Sequence, residues 1–490
     1  NTAVGYTTFT NVQVADNGFN TGIGYAVGVE LTTGLANTYL GANAGYFNET
    51  GSNNTYIGKY AGVGADGQNH SNNTGVGQSS LNAVTTGSTN VSVGSQCGTL
   101  LQTGGSNVFM GYGAGAATVD VDKAIIIGEG AGAAVMTAGA GDGTGADGTI
   151  AIGSTALGSL TSGSGNTAIG FEALEANQTS DFNTAVGYQA LNALTADSVS
   201  GNTAVGWNAG VLISSGQYNT LLGTVAGDGF DAEQFNTFIG YAAGSGAING
   251  ADRCVALGAA SLGGAATQDG TIAIGYQALN ALTSGERNLA IGYFAGEDMT
   301  DADDNVMIGW YAGLNADSSG FLKNVGVGNY VFDGVASGID ADGNTAVGHN
   351  AMSGILTDTA HENVAIGRNA MLVSTSASGC VVIGAVAGDS ISTGGYNTLI
   401  GNGCGDDLQG GANNTAMGYI SAYNMTGDSN VVIGRYAVSN LTSGDKNTVI
   451  GADNTLSAAT VDREIVIGYE AVGQGTNTVT LGDDNVTAVY

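Results

Sequence analysis

Asn166-Thr167-Ala168-Ile169-Gly170 is followed by Phe171-Glu172-Ala173-Leu174, and seventeen residues later the chain repeats itself as Asn183-Thr184-Ala185-Val186-Gly187 and Tyr188-Gln189-Ala190-Leu191. The phrase is an Asn, a Thr or aliphatic residue, a small or apolar residue, an aliphatic residue and a closing Gly. It occurs 28 times in the 490 residues, from Gly5 and Gly24 through Gly170 and Gly187 to Gly468 and Gly482. Of the 27 intervals between closing glycines, 17 are 17 residues long and most of the others are 16 to 20. Each unit holds one short β-rich phrase and a turn segment rich in Gly, Ser, Asn and Asp, without the apolar period of a helix. A unit this small cannot bury a core alone, so its apolar positions are covered only by stacking on the next unit. The expected fold is all-β, a parallel β-solenoid of about 28 coils with a repeat of about 17 residues, spanning residues 1–482 and leaving 483–490 as an exit segment.

Composition agrees with a stacked core. The chain has 86 glycines and no proline, yet 43% of it is hydrophobic, which excludes collagen and disordered low-complexity sequence. Its 41 acidic and 9 basic residues give a net charge of −32. The basic residues stand singly, as at Lys59, Lys123, Arg253, Arg287 and Arg435, so no nucleic-acid partner is expected. Like charge on an extended surface keeps copies soluble. Four cysteines without a CxxC pair, and three histidines apart from one another, form no zinc pattern. No run of 18 apolar residues is present, so no membrane-inserted helix is expected.

Alternation along a strand assigns the positions of the phrase to faces. The fourth position is apolar in all 28 copies, among them Ile169, Val186, Val205, Leu222 and Ile239, and is expected inside the coil together with the second. The first position is Asn in 21 of 28 copies, including Asn166, Asn183, Asn202, Asn219 and Asn236, which suits a ladder of side-chain amides from coil to coil. The third position is apolar too, as at Phe109, Ile126, Leu221, Phe238 and Met307. A strand apolar on both faces is buried on both faces, so the third position is expected to meet neighbouring chains around a symmetry axis, with three chains closing the contact. Aromatic residues directly after the glycine, such as Tyr188, Trp207, Tyr276 and Trp310, read as a packing ladder, with sugar stacking as the alternative. Cys254 and Cys380 stand where most copies have Asn and are expected as buried thiols, or as thiols meeting their own copies across that axis.

The phrase Asn-Thr-Ala-Ile/Val-Gly followed by Ala resembles the head repeats of YadA-like trimeric autotransporter adhesins. The fuller strings NTAVGYQAL at Asn183–Leu191 and IAIGYQAL at Ile272–Leu279 resemble the repeats of phage tail fibres. The resemblance covers nearly the whole chain. It implies a left-handed β-roll, a homotrimer, an extracellular location on a virion or cell surface, and attachment to a host receptor, a glycan in particular. The last residues, Thr478–Tyr490, are similar to the stretch preceding an endosialidase-type chaperone that removes itself by cleavage, which makes 483–490 the segment leading into it.

Chemistry is sought in the irregular positions. Acidic residues cluster at Asp298–Asp304 and at 142–147, both in turns, where Asp is at home without a catalytic role. Asp301, Asp303 and Asp304 are the candidate calcium ligands, although their spacing matches no EF-hand loop. No other cofactor is expected. The longer intervals place surface insertions at 134–147 and between Gly309 and Gly367, and in the second region Tyr330, Phe332, His349 and His361 are candidate contact residues. The expected function is structural and adhesive, that of a phage tail fibre shaft mediating host attachment. A bacterial trimeric surface adhesin or appendage subunit is the alternative. Catalysis of the kind performed by polysaccharide-degrading spikes is disfavoured, because paired carboxylates occur only in turns, and the chain is not expected to be an enzyme.

Overall fold

The computed structural model describes residues 1–13, 18–138, 145–196, 199–246, 250–316, 320–336, 338–354, 356, 360–483 and 485–486. Two compact units divide it, Asn1–Ser245 and Gly246–Tyr490. The first carries fourteen three-residue strands from β1 (Thr2–Val4) to β14 (Thr237–Ile239), and the second fourteen from β15 (Val255–Leu257) to β28 (Val479–Leu481). No α-helix occurs among the described residues, so no helix is long and apolar enough to cross a membrane. Within each unit every strand pairs in parallel with the next in sequence, and like positions face like: Thr167 opposite Thr184, Ala168 opposite Ala185, Ile169 opposite Val186. Each unit is thus a parallel β-solenoid with one strand per coil, as the 17-residue spacing predicts.

The rest of each coil is turn, but it is not loose. Outside the strands the backbone still bonds from coil to coil, for example Leu174 N–H to Ala190 O at 3.0 Å, Ala176 N–H to Asn192 O at 3.1 Å and Phe182 N–H to Ser164 O at 2.9 Å. Turn amides therefore find partners as strand amides do, which permits a small coil with little regular structure. The closing glycine makes the sharpest turn. Gly187 has φ of 142°, and a Cβ there would lie 2.2 Å from the carbonyl oxygen of Gly206 in the next coil. Both facts require glycine.

The strand faces are reversed from the sequence expectation. The third position is the inward one: the middle residue is buried in every strand except terminal β1 and β28. Ala168, Ala185, Leu221 and Phe238 are all fully buried, as are Ala173, Leu174 and Leu194. The second and fourth positions point outward. Ile169 is 37% and Leu222 46% exposed, while Val186, Val205 and Ile239 are half-buried. The cause is volume. Where the third position is large, the residue six further on is Gly: Cβ atoms at Gly45, Gly62 and Gly244 would strike the rings of Tyr39, Tyr56 and Phe238 at 2.5, 2.3 and 2.2 Å. In many coils where the third position is small that later residue is large, as in Ala168 with Leu174, Ala185 with Leu191 and Gly326 with Phe332, all buried, and where both are small, as in Ala204 with Gly210, Ile213 and the neighbouring coils' Leu191 and Leu221 fill the space. The narrow coil interior has space for one bulky side chain between these two positions, at the density of a protein core.

Of the exit segment, Asp483, Asn485 and Val486 are described, and 484 and 487–490 lie outside the described residues, as do 139–144 of the 134–147 insertion.

Candidate functional site

The asparagine ladder is built as two interlocking contacts. Asn183 donates its backbone N–H to Asn166 Oδ1 at 2.9 Å, and Asn166 Nδ2 donates to Ser180 O at 2.8 Å in its own coil. Asn202 donates to Asn183 Oδ1 at 3.0 Å, Asn219 to Asn202 Oδ1 at 2.9 Å and Asn236 to Asn219 Oδ1 at 3.0 Å. One amide therefore closes its coil and carries the next one, and its full burial explains why both ends are engaged. Cys380 imitates the pattern weakly: its Sγ lies 3.4 Å from Gly394 O and accepts from Asn397 N at 3.5 Å. Cys254 and Cys380 are buried inside their own coils, so contact with copies across an axis is ruled out by their placement. Burial raises the thiol pKa of all four cysteines, with Cys97 at about 11 and Cys404 at about 12, leaving them inert.

The three candidate calcium ligands do not converge. Asp303 Oδ1 accepts the Glu286 backbone N–H at 2.6 Å, Asp301 Oδ1 accepts from the Thr300 hydroxyl at 3.2 Å, and Asp304 Oδ1 is held by Arg287 Nε at 2.6 Å. The Arg287 hydrogen bond lowers the Asp304 pKa below the usual carboxylate value. Among the described residues the group with metal-ligand geometry is Asp340, Asp342 and His361, whose ligand atoms lie within 4.8 Å of one another. Here His361 has a structural explanation. Asp303, Asp445 and Asp462 each accept a backbone N–H from one coil back, and His361 Nδ1 stands in the same relation to Asp342 N at 3.3 Å, with the Asp342 carboxylate 2.6 Å away.

The candidate contact residues separate. Phe332 is fully buried, filling the space that Gly326 leaves, and so is corrected from contact to core. Tyr330 and His349 lie at the surface, with ring centroids 5.6 Å apart. They end an array that the sequence reading only half saw. The residues directly after the glycine stack as Phe171–Tyr188–Trp207 in the first unit and Tyr276–Tyr293–Trp310 in the second. In the second unit the next position adds a parallel column, Phe294–Tyr311–Tyr330. Its signal was available, since these three residues occupy one coil position at successive repeats.

A second cluster, hidden in the first unit, also escaped the sequence reading. Tyr39 and Tyr56 stack at 5.5 Å inside the coil, Asn48 Nδ2 donates to the Tyr39 hydroxyl at 2.9 Å, and the Tyr56 hydroxyl meets His70 Nδ1 at 2.8 Å. Burial lowers the His70 pKa to about 4. The cluster is a buried polar core within the coils.

The surface feature common to both units is the outward strand face, where Thr, Val, Ile or Leu at the second position alternates with Val, Ile, Leu or Met at the fourth. Examples run from Ile23 and Leu40 to Ile450 and Ile467, all exposed. No family model matches the chain, and no curated protein matches it.

Proposed function

We propose that the chain is the repetitive body of an extracellular homotrimeric fibre, a phage tail fibre in the first instance, that attaches to a host surface without acting on it as an enzyme. The observation that carries this reading is the outward strand face. Two β-branched or aliphatic side chains per coil, repeated over fourteen coils in each unit, form a continuous row of partly exposed side chains of the kind that marks an interaction surface. Cyclic symmetry covers such a face with identical faces and leaves none over. The contact surface is therefore the second and fourth positions rather than the third. A bacterial trimeric adhesin would assemble in the same manner.

The test is the molar mass of the particle in solution by light scattering. Three chains are expected, and Leu222→Asp together with Ile169→Asp should release single chains that keep their β circular dichroism. A single-chain mass for the unaltered protein overturns the fibre reading. Incubation with bacterial surface polysaccharide is expected to liberate no reducing ends, and liberation would return the enzymatic spike to first place.

A further inference from the structure

The second unit differs from the first by its doubled aromatic array. Tyr276, Tyr293 and Trp310 stack with centroid separations of 5.2 and 4.3 Å and interplanar angles of 18° and 17°. The small interplanar angles make this column a stack, closest between Tyr293 and Trp310. Phe294, Tyr311 and Tyr330 form the adjoining column, 5.5 and 5.7 Å apart and within 9° and 19° of parallel. Their planes stand across those of the first column, at 88° for Tyr276 with Phe294, 89° for Tyr293 with Phe294 and 70° for Trp310 with Tyr311. Phe294 and Tyr311 are half-buried. Tyr330 remains 36% exposed, with Tyr276 and Trp310 at 45% and 44%.

Polar groups bracket the rings. The same coil position holds Gln277 before Phe294 and Asn350 after Tyr330. Glu297 lies close enough to Tyr293 to help raise that phenol's pKa, and partial burial raises its own. Apolar ring faces flanked by amides and a carboxyl group are the chemistry that recognises a sugar, whose C–H faces stack and whose hydroxyls hydrogen-bond. The 5.5 and 5.7 Å ring steps are about the length of one pyranose residue in an extended chain. A net charge of −32 opposes anionic glycans.

We infer that the paired columns Tyr276–Tyr293–Trp310 and Phe294–Tyr311–Tyr330 together form a lateral platform for one strand of an uncharged polysaccharide lying along the coils. This deepens the adhesive reading and rests on it for its biological setting. The rings follow the strand in each coil, so the platform borders the proposed interchain face without forming it.

The test is calorimetric titration of the full chain with soluble uncharged oligosaccharides of the cello, chito and manno series at increasing length, with alginate as the anionic probe. At least one uncharged series should bind, with affinity rising over the first few residues. Tyr311→Ala should weaken it on the order of tenfold, whereas Trp207→Ala, in the single stack of the first unit, should not. Molar mass measured on the same variants keeps the two readings apart. A single-chain mass with length-dependent binding removes the fibre but keeps the platform, and three chains without binding removes the platform alone. Binding of alginate as tight as that of the uncharged series, or wild-type affinity in Tyr311→Ala at unchanged mass, also overturns the platform.

Discussion

In each coil a few residues hold a backbone conformation that most side chains resist. In the coil beginning at Asn166 these are Gly170, Glu172, Leu174 and Phe182, with φ of 142°, 55°, 52° and 60°. A non-glycine residue held there costs about 1 kcal/mol, which the coil-to-coil hydrogen bonds offset. The closing glycine is also sterically fixed, so Gly187→Ala is expected to destabilise the surrounding coils by roughly 3–5 kcal/mol. Hydrogen exchange at the Thr184 and Thr203 amides would read this, and wild-type protection would refute it. A residue-scale pH effect arises at His70. The Tyr56 hydroxyl and His70 Nδ1 share a 2.8 Å hydrogen bond, and Nε2 is buried with no partner among the described residues. Because burial lowers the pKa from 6.5 to about 4, the unfolded segment binds the proton that the folded one refuses. Local stability is then full above pH about 6.5 and falls as pH drops toward about 4, by about 3 kcal/mol in total. Amide exchange around Tyr56 should accelerate over that window in the wild type and much less in His70→Asn. Equal acceleration in both would assign the effect to other groups.

At the scale of the coil, the amide ladder makes one substitution improve the protein. Cys380 sits between Gly394 O and Asn397 N at sulfur distances of 3.4 and 3.5 Å. Cys380→Asn is expected to add about 1 kcal/mol by replacing weak sulfur contacts with two amide hydrogen bonds. The reverse change, Asn202→Leu, strands Gly216 O and Asn219 N–H, which Asn202 serves at 2.8 and 2.9 Å, and should destabilise by about 2–3 kcal/mol. Thermal melting of both variants checks the pair, and a loss in Cys380→Asn would show that the sulfur packs better than an amide. The period, the parallel stacking and the ladder were legible because repetition averages out local noise. Which strand face turned inward was not. Alternation places the second and fourth residues together but does not say where, and the invariance of Ile169 and its counterparts suggested the core. The deciding signal is a volume exchange visible in the sequence, Tyr39 with Gly45 against Ala185 with Leu191. It also identifies Phe332 as core, through Gly326. Proximity in sequence does not aim the candidate calcium carboxylates at one point: Asp303 and Asp304 serve different partners, Glu286 N–H and Arg287, in the preceding coil.

At the scale of the molecule, a charge of −32 opposes the association that the outward strand face favours. Salt screens the first and leaves the second. Association is therefore expected to tighten between about 10 mM and 150 mM salt, measured by sedimentation equilibrium, and dissociation by salt would mean that ion pairs hold the copies together. The ladder carries a further implication. Asn166 accepts from Asn183 in the manner that Asn202 accepts from Asn219, at 2.9 Å in both cases. No junction of this kind bears an address. Removing one complete unit between Asn166 and Asn183 would join partners as well matched as those it separated. A gene encoding such a chain is thus free to lengthen or shorten by unequal recombination, and related copies should differ by whole units far more readily than by one or two residues within them.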